Sequence, residues 1–299
     1  MTDHAPHESA AGSTIRWWRD PRARSLVGCG LLLVASGIAH VVVWTACGGP
    51  WEGPVTWRKP ILFGISGGLT ALSLGWVWAA LPRRRGDRPL ADLTAWCLLV
   101  EVALIDLQAW RGVASHFNRA TPLDSFLYDA MGGLILVVTG VTFDLTLRLF
   151  RRPARLDADM LLAARAGMVF LAVSCGLGIW VSVHGDLRMP QGLPPEIVGT
   201  AGVAKFPHGA ALHAIQWLPG LAWLARLAGL GLPRRRRLVA AATGGTALLL
   251  AYALVQTLAG RGRFDVTPAT AVLLAIGTVL VVLPGLVVAG TRIATGVGR

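Results

Sequence analysis

Hydrophobic residues run along this chain in blocks of about twenty, separated by short polar turns. The blocks lie near 25–45, 60–81, 91–110, 122–148, 161–183, 208–230, 238–259 and 268–291. A helix needs about 20 apolar residues to cross a bilayer, so each block predicts one span. Nothing between them is long enough for a separate soluble domain. The expected fold is all-α, a polytopic transmembrane helix bundle of about eight spans. The first block is too long for a signal-peptide core and reads as an uncleaved span. Two blocks announce their starts. Thr121-Pro122-Leu123-Asp124 offers an N-cap, a proline at the first helical position and an early acid, and Thr267-Pro268 repeats the cap and proline.

Charge orders these spans. Only 15% of residues are charged, against 54% hydrophobic, and mean hydropathy is +0.58. That excludes a disordered chain and argues against a water-soluble one. The net charge of +12 would raise nucleic acid as a partner in a soluble protein. Here the arginines sit in turns, so the bilayer is the expected partner and no nucleic acid is expected. Arg16–Arg24, Arg83–Arg88, Arg148–Arg155, Arg234–Arg237, Arg292 and Arg299 fall on one side of the alternation. Arg58, Lys59, Arg111, Arg119, Arg188, Lys205, Arg261 and Arg263 fall on the other. The richer side is cytoplasmic by the positive-inside rule. This predicts a multi-pass protein of the cytoplasmic (inner) membrane with both termini inside. Trp17, Trp18, Trp76, Trp78 and Trp223 would mark the inner boundary, and Trp44, Trp51, Trp57, Trp110 and Trp180 the outer.

The organisation expected is a cytoplasmic tail 1–24, four spans in 25–150, a linker 151–160, four spans in 161–291 and a cytoplasmic tail 292–299. The halves match when shifted by 141–151 residues. Gln108 meets Gln256, Pro82-Arg83-Arg84-Arg85 meets Pro233-Arg234-Arg235-Arg236, and Thr121-Pro122 meets Thr267-Pro268. Two parallel four-helix repeats would produce this, as in some transporters. Recurrent caps and arginine turns would also produce part of it.

The candidate chemistry is polar residues at membrane depth, which are expensive and usually face a bundle interior or wet cavity. Glu101, Gln108 and Arg111 share one face of the third span. Glu101 is the candidate proton carrier or acid/base group, with Asp129 as a second catalytic candidate. Arg58, Lys59, Gln108, Arg111 and Gln216 are the substrate-binding candidates. His40 and His213, at equal depth on different spans, are candidate ligands of a transition metal or of haem. His116, His184 and Asp186 read as interface residues, and Asp144 and Arg148 as a solvated i, i+4 pair. The loop 184–207, with three prolines, is a candidate lid. The four cysteines show no metal or disulfide spacing. No hydrolase, zincin or nucleotide motif is present.

Trp57-Arg58-Lys59-Pro60, Arg111-Gly112 with Ser115-His116-Phe117-Asn118, Gly185-Asp186-Leu187-Arg188, and His213 with Gln216 and Pro219 resemble a group of uncharacterised bacterial multi-pass membrane proteins. The resemblance covers about 25–230 and implies the same span number and motif order, but no activity. Three functions fit: a metal- or haem-dependent membrane enzyme or redox protein, a carrier for a small solute or lipid, and a non-catalytic assembly partner.

Overall fold

The computed structural model describes residues 16–296, and side chains to Arg292. The tail 1–15 and residues 297–299, including Arg299, lie outside the described residues. Nine α-helices follow one another among the described residues: α1 (Arg24–Cys47), α2 (Arg58–Ala80), α3 (Asp87–Trp110), α4 (Pro122–Arg151), α5 (Ala158–Arg188), α6 (Lys205–Leu212), α7 (Ala214–Leu227), α8 (Leu232–Leu258) and α9 (Pro268–Gly296). Six of them, α1, α2, α4, α5, α8 and α9, are long and apolar enough to cross a membrane. The all-α bundle expected from the hydrophobic pattern is present, with six such helices where about eight spans were expected. Between α5 and α6 lies a two-residue hairpin, β1 (Ile197–Val198) against β2 (Gly202–Val203).

Two boundaries differ from expectation. The helix α5 runs to Arg188, because nothing breaks it before Pro190 and the left-handed Gly192 (φ 69°). His184 and Asp186 therefore stand on a helix, and the predicted lid shrinks to 189–204. The sixth hydrophobic block is two helices. The backbone breaks at His213 (φ −94°, ψ 7°), and α7 continues through Pro219.

The tightest packing is α1 on α2, where small residues let the backbones approach. A side chain at Gly68 would meet the Gly30 carbonyl at 2.6 Å, and one at Gly64 would meet the Gly37 backbone at 2.8 Å. The main core is built on Leu26, Leu74, Trp78, Leu98, Leu145, Met168 and Ile215. Trp78, near the arginine-rich end of α2, is fully buried there. On α3 the exposed positions Leu93, Trp96, Val100, Leu107 and Trp110 are apolar along one stripe.

The predicted solvated pair at the arginine-rich end is a correction. Arg148 is buried, and its main partner is Asp87, 61 residues away, which it grips with both guanidinium nitrogens at 2.8 and 3.0 Å. Asp87 is 1% exposed and also takes the Arg84 amide and the Arg22 guanidinium. Burial of an unpaired carboxylate there would be costly, so the acid has drawn three arginines. Asp144 lies 3.6 Å from Arg148 but pairs bidentately with Arg84. In the second half, Asp159 is fully buried beside Arg226 and Arg235.

Candidate functional site

Arg58, Lys59, Gln108, Arg111 and Asp129 gather at the end of the bundle opposite these arginines, while Glu101, His213 and Gln216 lie deeper. The C-terminus of α3 and the N-terminus of α4 form its best-defined part. Thr121 caps α4 by accepting the Asp124 amide at 3.1 Å. This holds the buried Asp124 carboxylate where it accepts from Gln108 at 3.0 Å and Arg111 at 2.8 Å. Arg111 also donates to the Gln108 side-chain oxygen. Gln108, fully buried, is thus satisfied on both ends of its amide. These two substrate-binding candidates brace a loop. The second half has a related brace. Fully buried Gln256 donates to the Gly262 and Asp265 carbonyls, and Thr267 accepts the Thr270 amide at 3.4 Å.

That loop carries His116 and Phe117. Phe117 takes a left-handed backbone (φ 55°), a conformation that costs about 1–3 kcal/mol in a residue of its size. Its ring lies where a side chain at Gly185 would be, 2.3 Å from that position. Two of the resembling motifs therefore meet, Phe117 over Gly185, and Arg119, just beyond the first motif, lies 3.9 Å from Asp186. Arg119 also pairs with Asp129 at 2.8 Å and stacks over Tyr128. Asp129 is an exposed member of this ion pair.

His116 packs its ring against Phe63 and Tyr128, at 5.4 and 6.1 Å between centroids. Its Nδ1 faces Ser115 Oγ at 3.0 Å, and no partner meets its other nitrogen among the described residues. Burial pushes its pKa down to about 4, helped by the charge of Lys59. It is a neutral imidazole at physiological pH, with one nitrogen to offer. Lys59 donates to the Pro54 carbonyl at 3.2 Å, and Arg58 is half-buried beside it. Glu196, in the 189–204 segment, pairs with Lys205. Burial opposes its ionisation, but the Lys205 hydrogen bond and charge hold its carboxyl below the usual range.

Glu101 stands alone. It is 6% exposed, in the middle of α3, and takes no hydrogen bond or ion pair among the described residues. It shares a helix face with Gln108 but belongs to no network there.

The two candidate metal ligands have different neighbours. His40 Nδ1 meets the Ser36 carbonyl at 2.9 Å, and its Nε2 accepts from Trp110 Nε1 at 3.0 Å. Both nitrogens are thereby committed, which leaves no lone pair for a metal. Trp57 and Trp110 flank the ring, and Ser36 also donates to Asp106 at 2.9 Å. His213 stands at the break between α6 and α7. It meets Ser66 of α2 and Gln216, each at 3.3 Å, and Gln216 donates to Ser73 at 3.0 Å. Among the described residues, no group of three or more His, Cys, Asp and Glu is arranged to hold a metal ion.

Sequence reading missed the partners of these residues more often than the residues. Ser36 lies at i−4 from His40, a legible spacing. Ser66 and Ser73 lie two turns apart on α2 and line up with the broken helix. His208, held by the Ser174 carbonyl at 2.8 Å, had no such signal. No family model, curated protein or solved structure matches the chain. The resemblance to the bacterial multi-pass group is carried by its four motifs alone.

Proposed function

We propose that this protein is a proton-coupled carrier for a small polar solute, with Glu101 as the coupling group. The reading includes eight crossings of a cytoplasmic membrane, with the arginine-rich end inside. Its mouth lies at the opposite end, among Arg58, Lys59, His116, Arg119 and Asp129. The apolar exposed stripe of α3 supports counting α3 as a crossing, and α6 with α7 makes one broken crossing. Discontinuous helices form the solute sites of many carriers, because a break frees backbone groups at membrane depth. His213 and Gln216 at this break, with Ser66 and Ser73, offer a polar track between α2 and α7.

The observation that carries the reading is Glu101, buried and unpartnered. A charged carboxylate without hydrogen bonds costs several kcal/mol in such surroundings. A residue used only for structure would have drawn a donor, as Asp124 and Asp87 have. A group that exchanges a proton with a passing solute needs its oxygens free. Similar packing of α1–α4 and α5–α9 (α1 and α5 each touch the next two crossings) also supports two parallel repeats with the solute between them.

The test is Glu101→Gln in proteoliposomes that trap a pH-sensitive dye, with a panel of solutes outside. Proton movement driven by a solute should disappear in the variant, while yield and thermal stability stay close to wild type. Infrared titration should show one carboxyl signal missing. A folded variant that couples solute to protons as well as wild type would overturn the proposal. Failure to fold would make Glu101 a structural residue.

A further inference from the structure

A cleft of about 370 Å³ opens at the arginine-rich end, between the turn after α2 and the last turns of α4. Its floor is the buried Arg148, locked on Asp87 and donating to the Pro82 carbonyl at 3.1 Å. One wall is Arg84, locked bidentately on Asp144. Both acids are thus used. Three further arginines line the cleft: Arg83, Arg151 and Arg152. Arg151 and Arg152 are exposed and make no ion pair among the described residues, and Arg83 reaches only Asp20, at 3.9 Å. The helix ends do not account for them. The C-termini of α2 and α4 bring about half a negative charge each, and Arg22 already covers the Leu81 carbonyl as Arg148 covers Pro82. The cleft keeps a surplus of guanidinium groups, whose forked geometry suits phosphate oxygens.

The walls also indicate where the phosphate comes from. Leu147 lines the cleft and is 47% exposed. It continues along α4 with Phe143 and Phe150 as an apolar exposed stripe at i, i+4 and i+7. A free phosphate ion has no use for that stripe, whereas an acyl chain does. Basic pockets between helices at a membrane surface take anionic lipid headgroups.

We propose that this cleft binds the phosphate headgroup of an anionic phospholipid, with an acyl chain laid along Phe143, Leu147 and Phe150. A second cleft, of about 340 Å³, lies in the other half and also combines arginines with apolar side chains. There Pro233, Arg236 and Arg237 meet the apolar Leu162 and Ala240.

The test uses full-length protein in detergent, titrated with short-chain phosphatidylglycerol, with inorganic phosphate in a parallel arm. The variant is Arg151→Gln with Arg152→Gln, both solvent-exposed and outside every ion pair described. Circular dichroism and thermal unfolding check its fold. At about fivefold per arginine, lipid binding should weaken roughly 25-fold, and phosphate should compete only weakly with lipid. Pairing Leu147→Ser with Phe143→Ser should weaken lipid binding and leave the phosphate arm unchanged. Equal lipid affinity in wild type and the arginine variant would overturn the site. Phosphate competing on equal terms with lipid would overturn the lipid assignment.

Discussion

Replacing His116 by phenylalanine should flatten the acid side of the protein's stability profile. The folded state holds His116 neutral down to about pH 4, against an ordinary value of 6.5, because burial disfavours the imidazolium and Lys59 repels it. The unfolded chain takes up that proton near 6.5. Between these values the unfolded state binds more protons, so stability rises with pH. The contribution is fully present above pH 6.5 and is lost as pH falls towards 4. At about 1.4 kcal/mol per pH unit, the ceiling is about 3 kcal/mol. Solvent reaches part of the ring, so about 1–2 kcal/mol is the expected loss, or a few degrees of Tm for a chain of this size. Phenylalanine preserves the contacts with Phe63 and Tyr128 and removes the titration. The assay is thermal unfolding in detergent, followed by tryptophan fluorescence from pH 7 to 4.5 on both proteins. The carboxyls of Asp20 and Glu196 are held below their ordinary range, despite burial, by Arg22 and Lys205. Their losses come at lower pH and cancel in the difference between the two proteins. Parallel slopes would refute the reasoning and place His116 in water.

Two further outcomes bear on architecture. Gly68→Ala should cost about 1–3 kcal/mol, because the new methyl meets backbone oxygen at 2.6 Å and α1 must move from α2; Gly132→Ala, with nothing within 4 Å, should leave thermal unfolding nearly unchanged. In a cysteine-free background, an impermeant thiol reagent applied outside intact cells should label Gln191→Cys and miss Arg85→Cys, which lies on the arginine-rich side; the reverse pattern would invert the orientation.

Six helices were legible as hydrophobic blocks because burial and lipid exposure demand the same apolar residues along their length. The cap at Thr121 was legible because its partners are three residues apart. The break at His213 was not, because the hydrophobic pattern continues through it and Pro219, the visible breaker, is absorbed inside α7. Arg148 was misread for a related reason. Its nearest acid in sequence is Asp144, and only the fold brings Asp87 within 2.8 Å. His40 shows the limit for site residues. Its Ser36 partner follows from helical spacing, but Trp110 comes from another helix, and that contact changes the histidine from an available ligand to a committed one.

The ends and the middle of the bundle are held by interactions of different strength, and under the proposed carrier function this bears on where it could move. At the arginine-rich end, Asp87 ties the segment before α1, the start of α3 and the end of α4 through Arg22 and Arg148. Asp159 ties the start of α5 to α7 and α8 through Arg226 and Arg235. Removing one partner of such a buried pair typically costs 3–5 kcal/mol, because the other charge is left unmatched. Midway along the bundle, α2 meets His213 and α7 through neutral hydrogen bonds of 3.0–3.3 Å at Ser66 and Ser73. Such bonds contribute about 1 kcal/mol each, and water can replace them. A movement that opens a path to Glu101 therefore costs least between α2 and α7, at the break between α6 and α7, with the arginine networks as the fixed base.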